Sequence, residues 1–224
     1  MKLAAKIVNG SIKGLARSLL RMDDAELAKI PERGPLILVV NHINFLDAPV
    51  MYTHILPRSV TGLAKVETWN NPGFRFLFNL WDVIPIKRGT VDWEAFRAAL
   101  KALEDGKIVT IAPEGTRSHN GKLQEGRAGI IPLAQRSGAP ILPMVYYGGE
   151  DFWPNLKRLR RTDFHIVVGK VFRLKTTEKY VQKEERQQIM DEIMYCLAAL
   201  LPPEYRGIYS DLSKATQAHL LYEN

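Results

Sequence analysis

Short apolar runs constrain this chain more than any other feature. "PLILVVN" (35–41), "VTGLAK" (60–65), "DVIPIKR" (82–88), "KIVTIAP" (107–113), "APILPMVYYG" (139–148) and "DFHIVVGKVFRL" (163–174) each read as strand. Helix-length segments lie between them. "APVMYTHIL" (48–56) reads as a short helix, and residues 92–105 carry Trp93, Phe96, Leu100 and Leu103 at helical spacing before stopping at Gly106. A helix over about 127–137 requires Pro132 in its first turn, where no N–H is needed. Residues 178–201 set Ile189, Ile193, Leu197 and Leu200 on one face, with Cys196 in the same apolar neighbourhood. Strands alternating with helices predict an α/β fold: a mostly parallel or mixed central sheet flanked by helices.

The 224 residues, 46% hydrophobic and 25% charged, suffice for one domain with a sizeable core. A single cysteine leaves no disulfide framework and no cysteine-based metal site, which favours a reducing, intracellular compartment. The net charge of +7 points to an anionic partner: nucleic acid, an anionic membrane or a phosphorylated substrate. No apolar stretch approaches the roughly 20 residues of a membrane span. The N-terminal "MKLAAKIVNGSIKGLARSLLRM" is too interrupted by Lys6, Asn9, Gly10 and Lys13 for a signal peptide. Wound as a helix, it gathers Lys2, Lys6, Lys13, Arg17 and Arg21 on one side, with Val8, Ile12, Leu15, Leu19 and Met22 on another. Such a basic amphipathic helix suits an anionic bilayer surface, and equally a plain surface helix packed on the domain. The expected organisation is a membrane-contacting segment over 1–30 and an α/β domain over 31–224.

Candidate chemistry lies where strands end, and ligands of open α/β sheets gather beyond the carboxyl ends of strands. "NHINFLDAP" (41–49) follows the first strand and sets Asp47 five residues after His42. A carboxylate on one imidazole nitrogen makes the other a usable general base. Asp47 before "AP" is equally a helix N-cap, with Pro49 in the first turn. "APEGTRSHNGK" (112–122) follows another strand: Gly115 permits close backbone approach, and Arg117 offers a planar fork for phosphate oxygens. Glu114 would repel a phosphate, so its task is to orient an arginine or bind a hydroxyl. Arg88 ends a third strand, and Arg127 sits near a helix start. With Arg117 these form a cationic pocket beside a base, suited to a phosphorylated alcohol; each is otherwise an ordinary surface charge.

Other chemistries fit poorly. Gly115 to Gly121 is one residue too long for a nucleotide P-loop, and Leu123 stands where the magnesium-binding hydroxyl belongs. There is no G-x-S-x-G elbow, and His42, His54, His119, His165 and His219 lack metal-ligand spacing.

Four segments, in order, resemble the glycerolipid acyltransferases, particularly the bacterial 1-acyl-glycerol-3-phosphate acyltransferases. "NHINFLDAP" resembles their His-x4-Asp block, "VIPIKRG" the second, "APEGTRS" the third and "GAPILPM" the fourth, over about 41–148. Ala112 replaces a usual Phe, and Arg127 stands where many members carry Lys. The resemblance implies that His42 takes the acceptor hydroxyl's proton while Asp47 orients it. It also implies that Arg88, Glu114, Gly115, Arg117 and Arg127 form the acceptor's phosphate site, and that Pro143 is structural or near the acyl chain. The donor would be an acyl-CoA or acyl carrier protein thioester, the acceptor a lysophospholipid such as 1-acyl-glycerol-3-phosphate, with no metal or other cofactor and no nucleic acid. Membrane contact would be peripheral, at the cytoplasmic face. "WNNPGFRFLFNLW" (69–81) and "FWPNLKRLRR" (152–161) are further interfacial stretches or, respectively, buried core and solvated loop. Competing readings are transfer to another lysolipid or lipid amine, and a catalytically silent lipid-binding module.

Overall fold

Strand β2 (Leu36–Val40) is buried along its whole length, on both faces. This is the condition of an inner strand with parallel neighbours on both sides and helices above and below. The computed structural model describes residues 3–87, 89, 92–175 and 182–222. Helix α1 (Leu3–Leu19) leads into β1 (Leu20–Asp23), and after β2 come α2 (Asp47–His54), β3 (Val60–Lys65), α3 (Pro72–Leu80) and β4 (Ile84–Ile86). The chain continues through α4 (Trp93–Glu104), β5 (Ile108–Ile111), α5 (Ile130–Ser137), β6 (Ile141–Tyr147), α6 (Phe152–Lys157), β7 (Thr162–Val168), β8 (Phe172–Leu174), α7 (Lys183–Leu200) and β9 (Leu220–Tyr222).

The strands form one mixed sheet in the order β1-β7-β6-β2-β5-β3-β4, with β8 beside β6 and β9 beside β8. β6, β2, β5, β3 and β4 run parallel; β7 and β8 are both antiparallel to β6. One face carries α4, α5 and α7, whose Ala99, Ile131, Ile193 and Leu197 pack on Ile37, Val109, Ile141 and Val145. The other carries α2 and α6, with α1 and α3 outside, over Leu36, Leu38, Leu142 and Met144.

Three expected elements come out differently. The 163–174 strand divides into β7 and β8, because Pro143 of β6 has no N–H to give a neighbour on that side. The ladder breaks between Met144↔Val168 and Ile141↔Phe172, and Gly169 N–H donates to Pro143 O at 2.8 Å across the gap. The 82–88 strand shortens to Ile84–Ile86 because Asp82 adopts a left-handed turn conformation, φ +50°. The 1–30 segment contains β1, paired with β7 from Leu20↔Thr162 to Asp23↔His165. Residues 20–23 are therefore part of the sheet. Of the helical start expected at 178, residues 178–181 lie outside the described residues.

α1 packs on the domain through Ala5, Asn9, Ile12 and Ala16, and buried Asn9 Oδ1 accepts Trp81 Nε1–H at 2.9 Å. Leu15, expected on the apolar side with Ile12, instead faces solvent alongside Leu3 and Ile7. In the 69–81 stretch, Asn71 caps α3 by accepting from Gly73 and Phe74 N–H. Trp81 is core, while Phe74 and Phe76 are exposed.

Buried Glu192 of α7 ties down the C-terminal segment. Its carboxylate accepts from Thr216 Oγ1 (2.8 Å), Ala218 N–H (3.0 Å) and His219 N–H (3.0 Å), with His219 Nδ1 at 3.2 Å. Burial pushes its pKa up, but the bonds from Thr216 and His219 outweigh that and leave it lowered. A lowered folded-state pKa means stability that is present above the unfolded value and lost as pH falls through the folded one. Glu192→Ala should cost about 2–3 kcal/mol at neutral pH, in urea denaturation followed by circular dichroism. The cost should shrink below about pH 4.3, the unfolded glutamate range.

Candidate active site

Past Val40, the side chain of buried Asn41 continues the ladder that the backbone abandons. Its Nδ2–H donates to Tyr146 O and its Oδ1 accepts Tyr146 N–H, both at 2.8 Å. An amide side chain presents the same donor and acceptor as a peptide, so the main chain is released to turn. The turn closes on Asp47. Asp47 Oδ2 lies 2.8 Å from His42 Nδ1 and accepts the N–H groups of Ile43 (2.7 Å) and Asn44 (3.1 Å). Asp47 opens α2 but makes no cap bond to it; the carboxylate reaches back into the loop instead of forward into the helix.

Oδ2 already acts as an acceptor toward two backbone N–H groups, so the proton on a neutral His42 belongs on Nδ1, which donates to it. Nε2 then carries a lone pair. The His42 side chain is 31% exposed while that of Asp47 is 6% exposed, so the imidazole reaches solvent from a fixed base. Asn44 steadies the same turn from the other side: Nδ2–H donates to Gly149 O at 2.6 Å and Oδ1 accepts Leu46 N–H at 2.9 Å. Fully buried Tyr146 has its phenol pKa pushed well up, first by burial and then by the Asp47 charge.

β5 lies beside β2, with Val39 opposite Ile111, so the loops after them meet. Ser118 N–H donates to His42 O (2.8 Å) and His119 N–H to Ile43 O (3.1 Å). Glu114, 3% exposed, stands between them. Its Oε1 accepts His42 N–H at 2.9 Å, and its Oε2 accepts Gln124 N–H at 3.0 Å and Gln124 Nε2–H at 3.4 Å. Burial raises the Glu114 pKa, opposed by these bonds. Both oxygens are thus engaged by the protein. The carboxylate holds the His42 backbone, and among the described residues its hydrogen-bond partners are His42 and Gln124.

Gly115 adopts φ +67°, and a Cβ there would lie 3.5 Å from Cδ and Nε of Arg127, whose N–H donates to Pro113 O at 3.0 Å. The guanidinium of Arg127 therefore lies over this turn. Gly126 is needed for closeness: a Cβ would come within 2.6 Å of Met194 on α7. Arg117 is exposed, next to the Ser118 that bonds His42. Arg88, the remaining expected phosphate contact, lies outside the described residues. The structure thus gathers His42, Asp47, Glu114, Gly115, Arg117 and Arg127 at the carboxyl ends of two adjacent strands. Asn41, Asn44 and Gln124 were not anticipated from spacing, because their partners are backbone groups distant in sequence. No group of three metal-ligating side chains occurs among the described residues.

A family model described as Acyltransferase matches residues 21–147, more than half of the chain. The chain is 28% identical over 126 residues to the 1-acyl-sn-glycerol-3-phosphate acyltransferase of Borreliella burgdorferi, covering 55% of this chain and 50% of that protein. It is 30% identical over 167 residues to the N-acylphosphatidylethanolamine synthase of Arabidopsis thaliana, covering 68% and 57% respectively. The chain therefore spans about half the length of these curated relatives. Among solved structures, the 1-acyl-sn-glycerophosphate (LPA) acyltransferase PlsC from Thermotoga maritima superposes with a TM-score of 0.63 at 20% identity, over 88% of this chain and 80% of that one. The α/β fold with a helix-flanked mixed sheet is shared with it.

The convergence of three donors on one Asp47 oxygen has a measurable consequence. Asp47→Ala would leave the buried Ile43 N–H without an acceptor. It should cost about 2–3 kcal/mol in urea denaturation, before any effect on chemistry is considered.

Proposed function

Because this chain belongs to the Acyltransferase family, we propose that the His42–Asp47 pair catalyses transfer of an acyl group from a thioester to a lipid hydroxyl. The acceptor in this reading is the 2-hydroxyl of 1-acyl-glycerol-3-phosphate, and the product is phosphatidic acid. The observation that carries it is the 2.8 Å contact between His42 Nδ1 and Asp47 Oδ2, in a part-exposed imidazole whose backbone bonds the turn bearing Arg117. Nε2 removes the proton of the acceptor hydroxyl as its oxygen attacks the thioester carbonyl. Asp47 stabilises the imidazolium that forms. Collapse of the tetrahedral adduct breaks the carbon–sulfur bond, and the imidazolium returns the proton to the departing thiolate. No acyl-enzyme and no metal or cofactor is required; the donor is an acyl-CoA or an acyl carrier protein thioester.

Arg117 and Arg127 hold the acceptor phosphate, together with Arg88, and planar guanidinium groups match its oxygens. Glu114 and Gly115 act as positioning groups. Glu114 fixes the His42 backbone, and Gly115 lets Arg127 lie across the turn.

A lipid acceptor requires contact with a bilayer. Leu3, Ile7 and Leu15 on the outward face of α1, with Lys6, Lys13 and Arg17 beside them, and Phe74 and Phe76 on α3 support peripheral attachment at the cytoplasmic face. No helix among the described residues is long and apolar enough to cross a membrane. The similarity to an N-acylphosphatidylethanolamine synthase favours, as the second reading, transfer to another lysolipid or to a lipid amine at the same histidine.

His42→Ala should leave the circular dichroism spectrum unchanged and lower acyl transfer at least about 100-fold, the low end for loss of a general base. A folded variant with near wild-type turnover would refute the assignment. Arg117→Ala should raise KM for lysophosphatidate with little change in KM for the thioester; KM values unchanged from wild type for both substrates would remove Arg117 from the phosphate site. Product masses from a panel of lysolipids, lipid amines and glycerol-3-phosphate, each with CoA and carrier-protein donors, would identify acceptor and donor together.

A further inference from the structure

The turn joining α6 to β7 contains a leucine that neither the backbone nor the core explains. α6 ends in a hydrogen-bonded C-cap: Leu159 N–H donates to Leu156 O at 3.0 Å and Arg160 N–H to Asn155 O at 2.9 Å. This arrangement requires a left-handed residue after the cap, a place glycine usually fills because a Cβ is strained there. Here it is Leu159, at φ +54°, and its side chain is 94% exposed. The chain accepts the strain and gains no burial in return. Leu159 is surrounded by Lys157, Arg158, Arg160 and Arg161. Among the described residues, none of the side chains of Lys157, Arg158 and Arg160 enters a hydrogen bond or ion pair. In the first turn of α6, Trp153 is 56% exposed.

The turn is rigidly mounted and adjoins the candidate active site. Arg161 donates to Leu20 O and, at 2.7 Å, to Arg17 O, which fixes the turn to the end of α1. The Trp153 ring lies 5.4 Å from that of Phe45, which belongs to the loop between His42 and Asp47. Phe152, buried beneath, contacts both rings. An apolar spike within unpaired basic charge, with an indole at its foot, has the composition of a bilayer-penetrating loop.

We propose that residues 153–160 are a second membrane anchor, which inserts Leu159 and Trp153 into the surface of an anionic bilayer and lays Arg158 and Arg160 on its phosphates. This deepens, and rests on, the peripheral attachment inferred above; α1 alone would tether the chain without orienting it. Contact through Trp153 and Phe45 brings the part-exposed His42 close to the lipid surface, where a lysolipid presents its hydroxyl.

The full-length protein should be sedimented with vesicles of phosphatidylcholine, with and without phosphatidylglycerol. Leu159→Gly removes the apolar spike and relieves the backbone strain. It should bind anionic vesicles several-fold more weakly while its melting temperature stays the same or rises. Arg158→Ser with Arg160→Ser should weaken binding to anionic vesicles by about 25-fold, at roughly fivefold per basic residue, and leave binding to phosphatidylcholine alone unchanged. Wild-type vesicle binding by both variants would overturn the proposal, and so would weakened binding to an acyl carrier protein with vesicle binding intact, which would make the turn a carrier-docking site. Vesicle sedimentation uses no substrate, so a failed acyl-transfer assay would not be mistaken for failure here. Loss of all vesicle binding by wild type itself would instead refute peripheral attachment.

Discussion

One carboxylate oxygen organises the candidate site. Asp47 Oδ2 draws in the His42 ring and the N–H groups of Ile43 and Asn44, and so converts a flexible exit from β2 into a closed turn. The arrangement has a dual consequence. It sets the imidazole tautomer with Nε2 free, and it prevents the ring from rotating to other partners. For the general-base role proposed for His42 a held rotamer matters, because misplacement by about 1 Å costs two orders of magnitude in rate. The backbone donors that satisfy Asp47 are part of that hold.

A second buried carboxylate joins this turn to its neighbour. Glu114 receives the His42 N–H on one oxygen and Gln124 on the other, while Ser118 and His119 bond back to the carbonyls of His42 and Ile43. The burial cost visible in its raised pKa is the counterpart of its position between two strand ends. An acidic residue beside the proposed phosphate site is explained by its role as an internal support. Charge that would repel a ligand is instead spent inside the protein, leaving the arginines to face outward.

The outer surface follows a related logic. The sheet's carboxyl edge holds the histidine turn, and the exposed apolar groups beside it lie on helices and turns attached to the same frame. Trp153 touches Phe45 within the histidine turn, and Arg161 ties the α6–β7 turn to α1. The α6–β7 turn is thereby joined both to the histidine turn and to α1.

The amino-acid sequence by itself determined the alternation of strands and helices, because runs such as "PLILVV" and "KIVTIAP" are apolar enough to be buried wherever they fall, and it marked His42 and Asp47 as neighbours through a spacing short enough for one turn. Local chemistry suffices for both. Only the tertiary structure decided that the strands order as β6-β2-β5, which sets Glu114 under His42 across 72 residues, and that Asn41 and Asn44 bond to Tyr146 and Gly149, each 105 residues away. It also decided which residues of α1 face outward, turning Leu15 to solvent. The division at Pro143 was likewise hidden, since a missing N–H interrupts a ladder only on the side where a neighbouring strand lies. Strand order, register and the outward face of a helix depend on partners distant along the chain, and no local pattern specifies a partner.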